Sequence, residues 1–186
     1  LGNAASRKNA ALQRHLQIRS KERSLVDAGS PPRFVADVML GRLAKWLRIA
    51  GFDVLYSNRF SDDELVRLSS AEGRILLSRD TRLLVRRVVS RFIFLESEDV
   101  RAQLRQVLRS TRITRLPALL SRCLSCNEPL AEVPRESVSD LVPAYVFRTQ
   151  SYFKACPSCR KVYWAGTHRQ SVMRMLEKLL SENPGS

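Results

Sequence analysis

The sequence predicts an α/β protein: a mostly parallel sheet with helices on both faces, followed by a small β-rich module built around cysteines. Three observations lead there. Short apolar runs alternate with helical patterns of about ten residues from Phe34 to Ser110, the rhythm of βαβ units. Four cysteines fall into two C-x-x-C pairs, Cys123/Cys126 and Cys156/Cys159, separated by 29 residues. Thirty-two Lys and Arg against 18 Asp and Glu give a net charge of +14. A length of 186 residues allows one sizeable core and a small appendage. The hydrophobic fraction of 44% excludes a wholly disordered chain, and no run of 18 apolar residues is present to span a membrane. Four cysteines are too few for a disulfide-dense secreted scaffold. The expectation is a soluble, intracellular protein with a polyanionic partner. A pI near 10.6 points to nucleic acid ahead of an acidic membrane surface.

Composition divides the chain into a basic N-terminal arm (1–33), an α/β domain (34–120), a ribbon (121–176) and a C-terminal tail (177–186). The arm carries a balance of +5, residues 34–120 one of +6 and residues 121–186 one of +3. The arm opens on Leu1 rather than Met, which reads as a processed or truncated start. Its Arg-rich, acid-poor make-up resembles what remains of a mitochondrial or plastid targeting region. It also suits an arm lying along phosphates or held by a protein partner. Two readings of Ser6 to Ser24 compete, a disordered leader and a helix with Leu12 and Leu16 one turn apart as a narrow apolar stripe. Pro31 and Pro32 end it.

From Phe34 the elements follow in order. Phe34 to Leu40 is apolar apart from Asp37, which reads as a buried strand and its exit. Leu43, Trp46, Leu47 and Ala50 sit at i, i+3, i+4 and i+7, the apolar face of a helix whose other face shows Arg42, Lys45 and Arg48. Gly51 stops it as a left-handed residue, and Asp53 to Tyr56 is a second strand. Ser61-Asp-Asp-Glu64 is a capping box opening a helix to Glu72, with Gly73 as its stop. Arg74 to Ser78 is a third strand, Asp80 or Thr81 caps a further helix, and Phe92 to Leu95 is a fourth strand. Asp99 starts a last helix through Ser110.

In such a sheet the strand C-termini share one edge, where ligands bind. Asp37, Asp62, Asp63 and Asp80 all follow strand ends, and Asp99 follows the fourth. Clustered carboxylates repel one another, and a hard cation such as Mg²⁺ or Mn²⁺ relieves that repulsion while polarising a phosphoryl oxygen. Beside a basic surface this describes a nuclease. Simpler roles compete: Asp62 and Asp63 favour any first helical turn, Asp80 suits an N-cap and Asp99 a helix start. Asp37 is different, because an acid inside an apolar strand requires a partner. Arg42 or Lys45 is a candidate for that role, or for steering substrate phosphates.

Two C-x-x-C knuckles supply four thiolates for tetrahedral Zn²⁺, a closed and therefore structural site. Such a site stabilises a core-poor region by about 10 kcal/mol or more. A dithiol redox pair and two disulfides are the competing readings. Ala144 to Arg148 and Lys161 to Trp164 are the expected ribbon strands. Tyr145, Phe147, Tyr152, Phe153, Tyr163 and Trp164 lie beside Arg148, Lys154, Arg160, Lys161 and Arg169, an interleaving that suits stacking on unpaired bases. At least half of these aromatics are expected in the ribbon's thin core. His168 is expected to be structural or RNA-contacting rather than an extra ligand.

Phe34-Val-Ala-Asp-Val-Met-Leu-Gly-Arg-Leu-Ala-Lys-Trp-Leu-Arg-Ile-Ala-Gly-Phe-Asp-Val54 and Gly73-Arg-Ile-Leu-Leu-Ser-Arg-Asp80 resemble the signatures of the Mut-seven C-terminal RNase domain. Arg122-Cys-Leu-Ser-Cys-Asn127 and Cys156 to His168 resemble its attached zinc ribbon. The resemblance runs from residue 34 to 176 and implies a PIN-like α/β fold with Mg²⁺- or Mn²⁺-dependent ribonuclease activity. It carries the acidic positions onto Asp37, Asp62 and Asp80, with Glu96 or Asp99 as a fourth, and the zinc ligands onto the four cysteines. Arg42, Lys45, Arg48, Arg79, Arg160, Lys161 and His168 are the expected RNA contacts. Two readings stand: a metal-dependent ribonuclease, or a non-catalytic RNA-binding subunit of a ribonucleoprotein such as an organellar ribosome.

Overall fold

The computed structural model describes residues 10–16, 25, 30–166 and 169–182. β1 (Arg33–Ala36), β2 (Asp53–Tyr56), β3 (Ile75–Ser78) and β4 (Phe92–Phe94) form one sheet in the order β2-β1-β3-β4, with every neighbouring pair parallel. Phe34, Ala36, Ile75, Leu77 and Ile93 face one side of it. There they meet Leu43 and Leu47 of α2 (Gly41–Ile49), Leu104 and Leu108 of α5 (Val100–Ser110) and Leu176 of α7 (Arg169–Ser181). Val35, Leu76, Phe92 and Phe94 face the other side. They meet Leu65 of α3 (Asp62–Glu72), Leu83 and Leu84 of the short α4 (Thr81–Leu84), and Leu16 of α1 (residues 10–16). Burial on both faces explains why these strands are apolar runs rather than alternations.

The punctuation falls where the local chemistry puts it. Ser61 and Glu64 close a reciprocal capping box, Glu64 N donating to Ser61 Oγ at 3.3 Å and Ser61 N to Glu64 Oε2 at 2.8 Å. Gly51 and Gly73 take φ of 94° and 61°, the left-handed region that a side chain resists. Asp99 caps α5 by accepting from Ala102 N at 2.9 Å.

The described residues 10–16 and 169–182 belong to the body more than composition suggests. The narrow Leu12/Leu16 stripe finds its partner in the protein itself, with Leu16 fully buried against the sheet and Leu12 packed beside it. The tail expected from residue 177 begins inside α7, which places Leu176 and Leu179 in the core of the α/β body.

The second unit is a three-stranded antiparallel sheet of β5 (Ala131–Val133), β6 (Phe153–Ala155) and β7 (Val162–Trp164), in the order β5-β6-β7. Lys161 to Trp164 is a strand as expected, but Ala144 to Arg148 is not. That stretch is α6 (Ala144–Thr149), opening after Pro143 and held by Phe147 N donating to Pro143 O at 3.0 Å. Val142, Val146 and Phe147 recur at helical spacing and pack on Val138 and Phe153, and that packing decides the conformation. Phe153 is the core aromatic here, while Tyr145, Tyr152 and Trp164 are exposed.

Candidate functional site

β1 is flanked by β2 on one side and β3 on the other, so the chain reverses its direction of progress between β1 and β3. That is the switch point where the strand C-termini open a crevice. Asp37 leaves β1 there, only 6% exposed, with its amide donating to Leu77 O at 3.0 Å. The partner of its carboxylate is Ser78, in place of Arg42 or Lys45: Ser78 Oγ donates to Asp37 Oδ2 at 2.5 Å. The same hydroxyl accepts from Asp80 N at 2.8 Å. Ser78 therefore ties the two acidic turns together while fully buried. Sequence reasoning passed over it, although a polar residue ending an apolar strand two positions before an aspartate is a readable signal.

Asp80 also caps α4, its Oδ1 accepting from Arg82 N at 2.7 Å. Tyr56, at the end of β2, donates from its hydroxyl to Val38 O at 3.0 Å and so braces the turn after Asp37. It passes so close to Gly41 that a Cβ there would lie 2.5 Å from the tyrosine oxygen. Asp62 and Asp63, in the first turn of α3, are exposed and share Arg86, at 3.4 Å and 2.6 Å. Arg79 pairs with Glu98 at 2.9 Å. The structure thus joins Asp37 and Asp80 through Ser78 and turns Asp62 toward a guanidinium. Glu96 is exposed and Asp99 serves as the α5 cap.

Of the expected RNA contacts, Arg42, Lys45, Arg160 and Lys161 are exposed, and Lys161 Nζ donates to Ser125 Oγ at 2.5 Å. His168 lies outside the described residues. Arg48 is a correction, because it is 3% exposed and turned into the protein. It stands one turn after the buried Ala44, so the helix carries it off the solvent face. Its Nε and Nη2 donate to Val54 O at 3.1 and 2.8 Å, and its Nη1 to Leu124 O and Ser125 O, both at 3.0 Å. Asn127 adds a second stitch, accepting from Val54 N at 2.9 Å and donating to Asp53 Oδ1 at 2.7 Å.

The four thiols converge. All four sulfurs lie within 4.8 Å of one another, with Cys123–Cys159 and Cys126–Cys156 each at 3.4 Å. Zn–S bonds of about 2.3 Å in a tetrahedron put sulfurs roughly 3.8 Å apart, so this donor set fits structural zinc. The two knuckles repeat one geometry. Cys123 N donates to Glu128 O at 2.8 Å and Cys156 N to Lys161 O at 3.0 Å. Asn127 and Arg160, each just after the second cysteine, take φ of 73° and 59°. Burial pushes the Cys123 thiol up, but hydrogen bonds from the Tyr163 hydroxyl and from backbone amides outweigh it and bring the pKa down to about 6. Burial and the neighbouring thiols push Cys126 up to about 12. Among the described residues, these four make the one group of three or more potential metal ligands so close together; the rim carboxylates do not form another.

The class of protein that fold and site define is a parallel α/β body with acids at its switch point, stitched to a four-cysteine antiparallel module. Within that class, the chain belongs to the Mut7-C RNAse domain family, whose model matches residues 32–176. No curated protein and no solved structure matches the chain. Among the described residues, no helix is long and apolar enough to cross a membrane.

Proposed function

We propose that the protein is a divalent-metal-dependent ribonuclease that hydrolyses RNA phosphodiesters at the rim of Asp37, Asp62 and Asp80. The observation that carries this reading is Asp37 itself. A carboxylate buried at the switch point of an RNase-family sheet is held, among the described residues, by a neutral serine rather than by a cation. Burying a charge is costly unless it is paired, and a bound divalent cation would supply that pairing. Mg²⁺ takes one or two carboxylates plus waters, so Asp37 and Asp80 would be the residues to hold it, with Asp62 the third member of the proposed rim. When bound, Mg²⁺ or Mn²⁺ supplies charge compensation and polarisation of the phosphodiester. Ser78 orients Asp37, Tyr56 braces its turn, and the exposed Arg42 and Lys45 lie one to two turns away, placed to meet substrate phosphates.

One observation favours a second reading, a non-catalytic RNA-binding subunit of a ribonucleoprotein: Arg86 already pairs Asp62 and Asp63. Cleavage of a labelled single-stranded RNA with Mn²⁺ or Mg²⁺ separates the two. The nuclease reading expects metal-dependent cutting that Asp37→Asn abolishes while RNA affinity holds or improves. Equal cleavage by parent and variant sinks it, and binding without cutting by both moves the conclusion to the structural subunit.

A further inference from the structure

The α/β body keeps its large apolar side chains inside, with few exceptions. Among its described residues four are exposed: Val38 and Met39 in the turn that leaves β1, and Val85 and Val88 in the connection from β3 to β4. Exposed apolar residues scattered singly are ordinary. Val38 and Met39 are instead consecutive, follow Asp37 directly, and are 39% and 59% exposed. They make an apolar lip on the acidic rim.

The turn holds them there. Leu40 N donates to Asp37 O at 2.9 Å, closing a single 3-10 turn, Val38–Leu40. Of its three side chains Leu40 enters the core, which leaves Val38 and Met39 outside. Tyr56 Oη donates to Val38 O at 3.0 Å and lies against Gly41, while Asp37 N donates to Leu77 O at 3.0 Å. The backbone under the two side chains is thus fixed from β2 and from β3. The lip continues along α2, because the turn runs directly into that helix at Gly41. Met39, Arg42 and Lys45 are spaced by three residues and all exposed. Arg42 and Lys45 make no ion pair among the described residues.

A ligand that suits this strip has a flat apolar face beside Asp37 and negative charge along the helix. A nucleotide within a single strand has both. A thioether packs well against an aromatic ring, and the flexible methionine side chain adapts to its shape. In a duplex the base faces are covered by their neighbours and out of reach.

We propose that Val38 and Met39 are the surface on which an unpaired RNA base rests at the acidic rim, which makes Met39 a specificity-determining residue. It selects single-stranded over double-stranded RNA, and purines over pyrimidines by the area of ring covered. It rests on the reading that this rim takes RNA, and deepens it by naming the part of the substrate that is bound. Arg42 and Lys45 meet the neighbouring phosphates, a contact that any polyanion shares; the base contact is what a bare phosphodiester lacks.

The experiment is fluorescence anisotropy with the full-length chain and no added Mg²⁺ or Mn²⁺. The labelled probes are oligo(A) and oligo(U) of eight nucleotides and an abasic phosphodiester strand of equal charge. Met39→Gln keeps the length of the side chain and makes its end polar, whereas Met39→Leu keeps it apolar. Leu141→Gln makes a similar exchange at an exposed position on the other unit. Met39→Gln is expected to bind oligo(A) about two- to tenfold more weakly than the parent, to lose less on oligo(U) and to lose nothing on the abasic strand. Met39→Leu and Leu141→Gln stay near the parent. Parent-like binding of oligo(A) by Met39→Gln overturns the proposal, and so does an equal loss on oligo(A) and the abasic strand. A dimer seen in sedimentation that Met39→Gln dissolves assigns the lip to a second copy of the chain and overturns it too. Mn²⁺-dependent cleavage by the parent, with Asp37→Asn alongside, keeps the two levels apart. If the parent cuts RNA and Met39→Gln binds oligo(A) like the parent, the base surface alone fails. If the parent neither binds nor cuts RNA, the functional reading fails with it.

Discussion

Replacing Arg48 with methionine removes a buried cation whose hydrogen bonds, among the described residues, go to backbone carbonyls. The guanidinium makes four hydrogen bonds to three carbonyls, Val54 O in β2 and Leu124 O and Ser125 O inside the first knuckle. Burial lowers the pKa of Arg48, while the thiols of Cys123 and Cys126 and the carboxylate of Asp53 act to keep it charged. A zinc-tetrathiolate carries two negative charges, and Arg48 is the cation set between that site and the sheet. Arg48→Met keeps most of the volume but leaves the carbonyls without their charged donor. Hydrogen bonds to charged groups contribute about 1.5–3 kcal/mol each, offset by no longer burying a guanidinium, so the net loss is about 2–4 kcal/mol. For a chain of this size that is roughly 5–15 °C in Tm.

The metal feels the same loss, because partners of this kind change affinity by about 10–100-fold. Zinc competition against a chromogenic chelator, with thermal unfolding of the zinc-loaded protein, measures both. Arg48→Lys restores the charge but not the planar fork, and is expected to fall between parent and Arg48→Met. Parent-like zinc affinity and Tm in Arg48→Met would refute the argument that this side chain is the counter-ion and latch.

Three further outcomes follow from the same geometry. At pH 7 Cys123, brought to about 6, is largely thiolate, whereas Cys126, pushed up to about 12, and Cys159, also raised, hold their protons. Zinc binding therefore releases at least two protons, and calorimetry in buffers of different ionisation enthalpy should count them. At the sheet's other edge, burial acts to raise the pKa of Asp53, but hydrogen bonds from Arg74 and Asn127 outweigh it and hold its carboxyl below the ordinary value. Its stabilisation is thus complete above the ordinary carboxylate range and lost as pH falls through the lowered pKa. Asp53→Asn should weaken the protein at pH 7 and flatten the acid limb of its stability curve; an unchanged acid limb would count against the pair. Finally, Leu16→Ala should cost about 2–5 kcal/mol by chemical denaturation if α1 is part of the core. A change within a few tenths of a kcal/mol would return the helix to the status of an arm.

What the sequence disclosed and what it hid divide along a physical line. The four strands of the parallel sheet, the Ser61 capping box and the left-handed Gly51 and Gly73 are legible because each rests on neighbours within about five residues. The C-x-x-C pairs were legible for the same reason, since a knuckle is a local turn. Arg48 was misplaced because three basic residues spaced by three drift around a helix, and only the tertiary fold decides which of them lands on the buried side. α6 reads as a strand in sequence because Tyr, Val and Phe favour strands intrinsically, whereas Pro143 and the contacts to Val138 and Phe153 favour a helix. Ser78 went unseen because its role consists of two hydrogen bonds, one of them spanning 41 residues.

The ribbon is more than an attachment, because it helps to close the edge of the sheet. β2 is an edge strand, and an edge presents unpaired N–H and C=O groups that invite pairing with another chain. Val54 sits at the middle of that edge, and both of its backbone groups are taken by side chains. Asn127 Oδ1 accepts from the N–H, and Arg48 donates to the carbonyl. Asn127 reaches β2 because the first knuckle turns back through a left-handed residue immediately after Cys126, and that residue is Asn127 itself. Arg48 reaches the same strand from the body while gripping the knuckle's carbonyls. The cysteine cluster, the helix after Asp37 and the edge strand are thus joined through two side chains. The same helix α2 begins four residues after the rim aspartate. A disturbance at the cysteines therefore has a short covalent and hydrogen-bonded route to the acidic rim, through Arg48 and α2, and the two sites stand or fall on shared scaffolding.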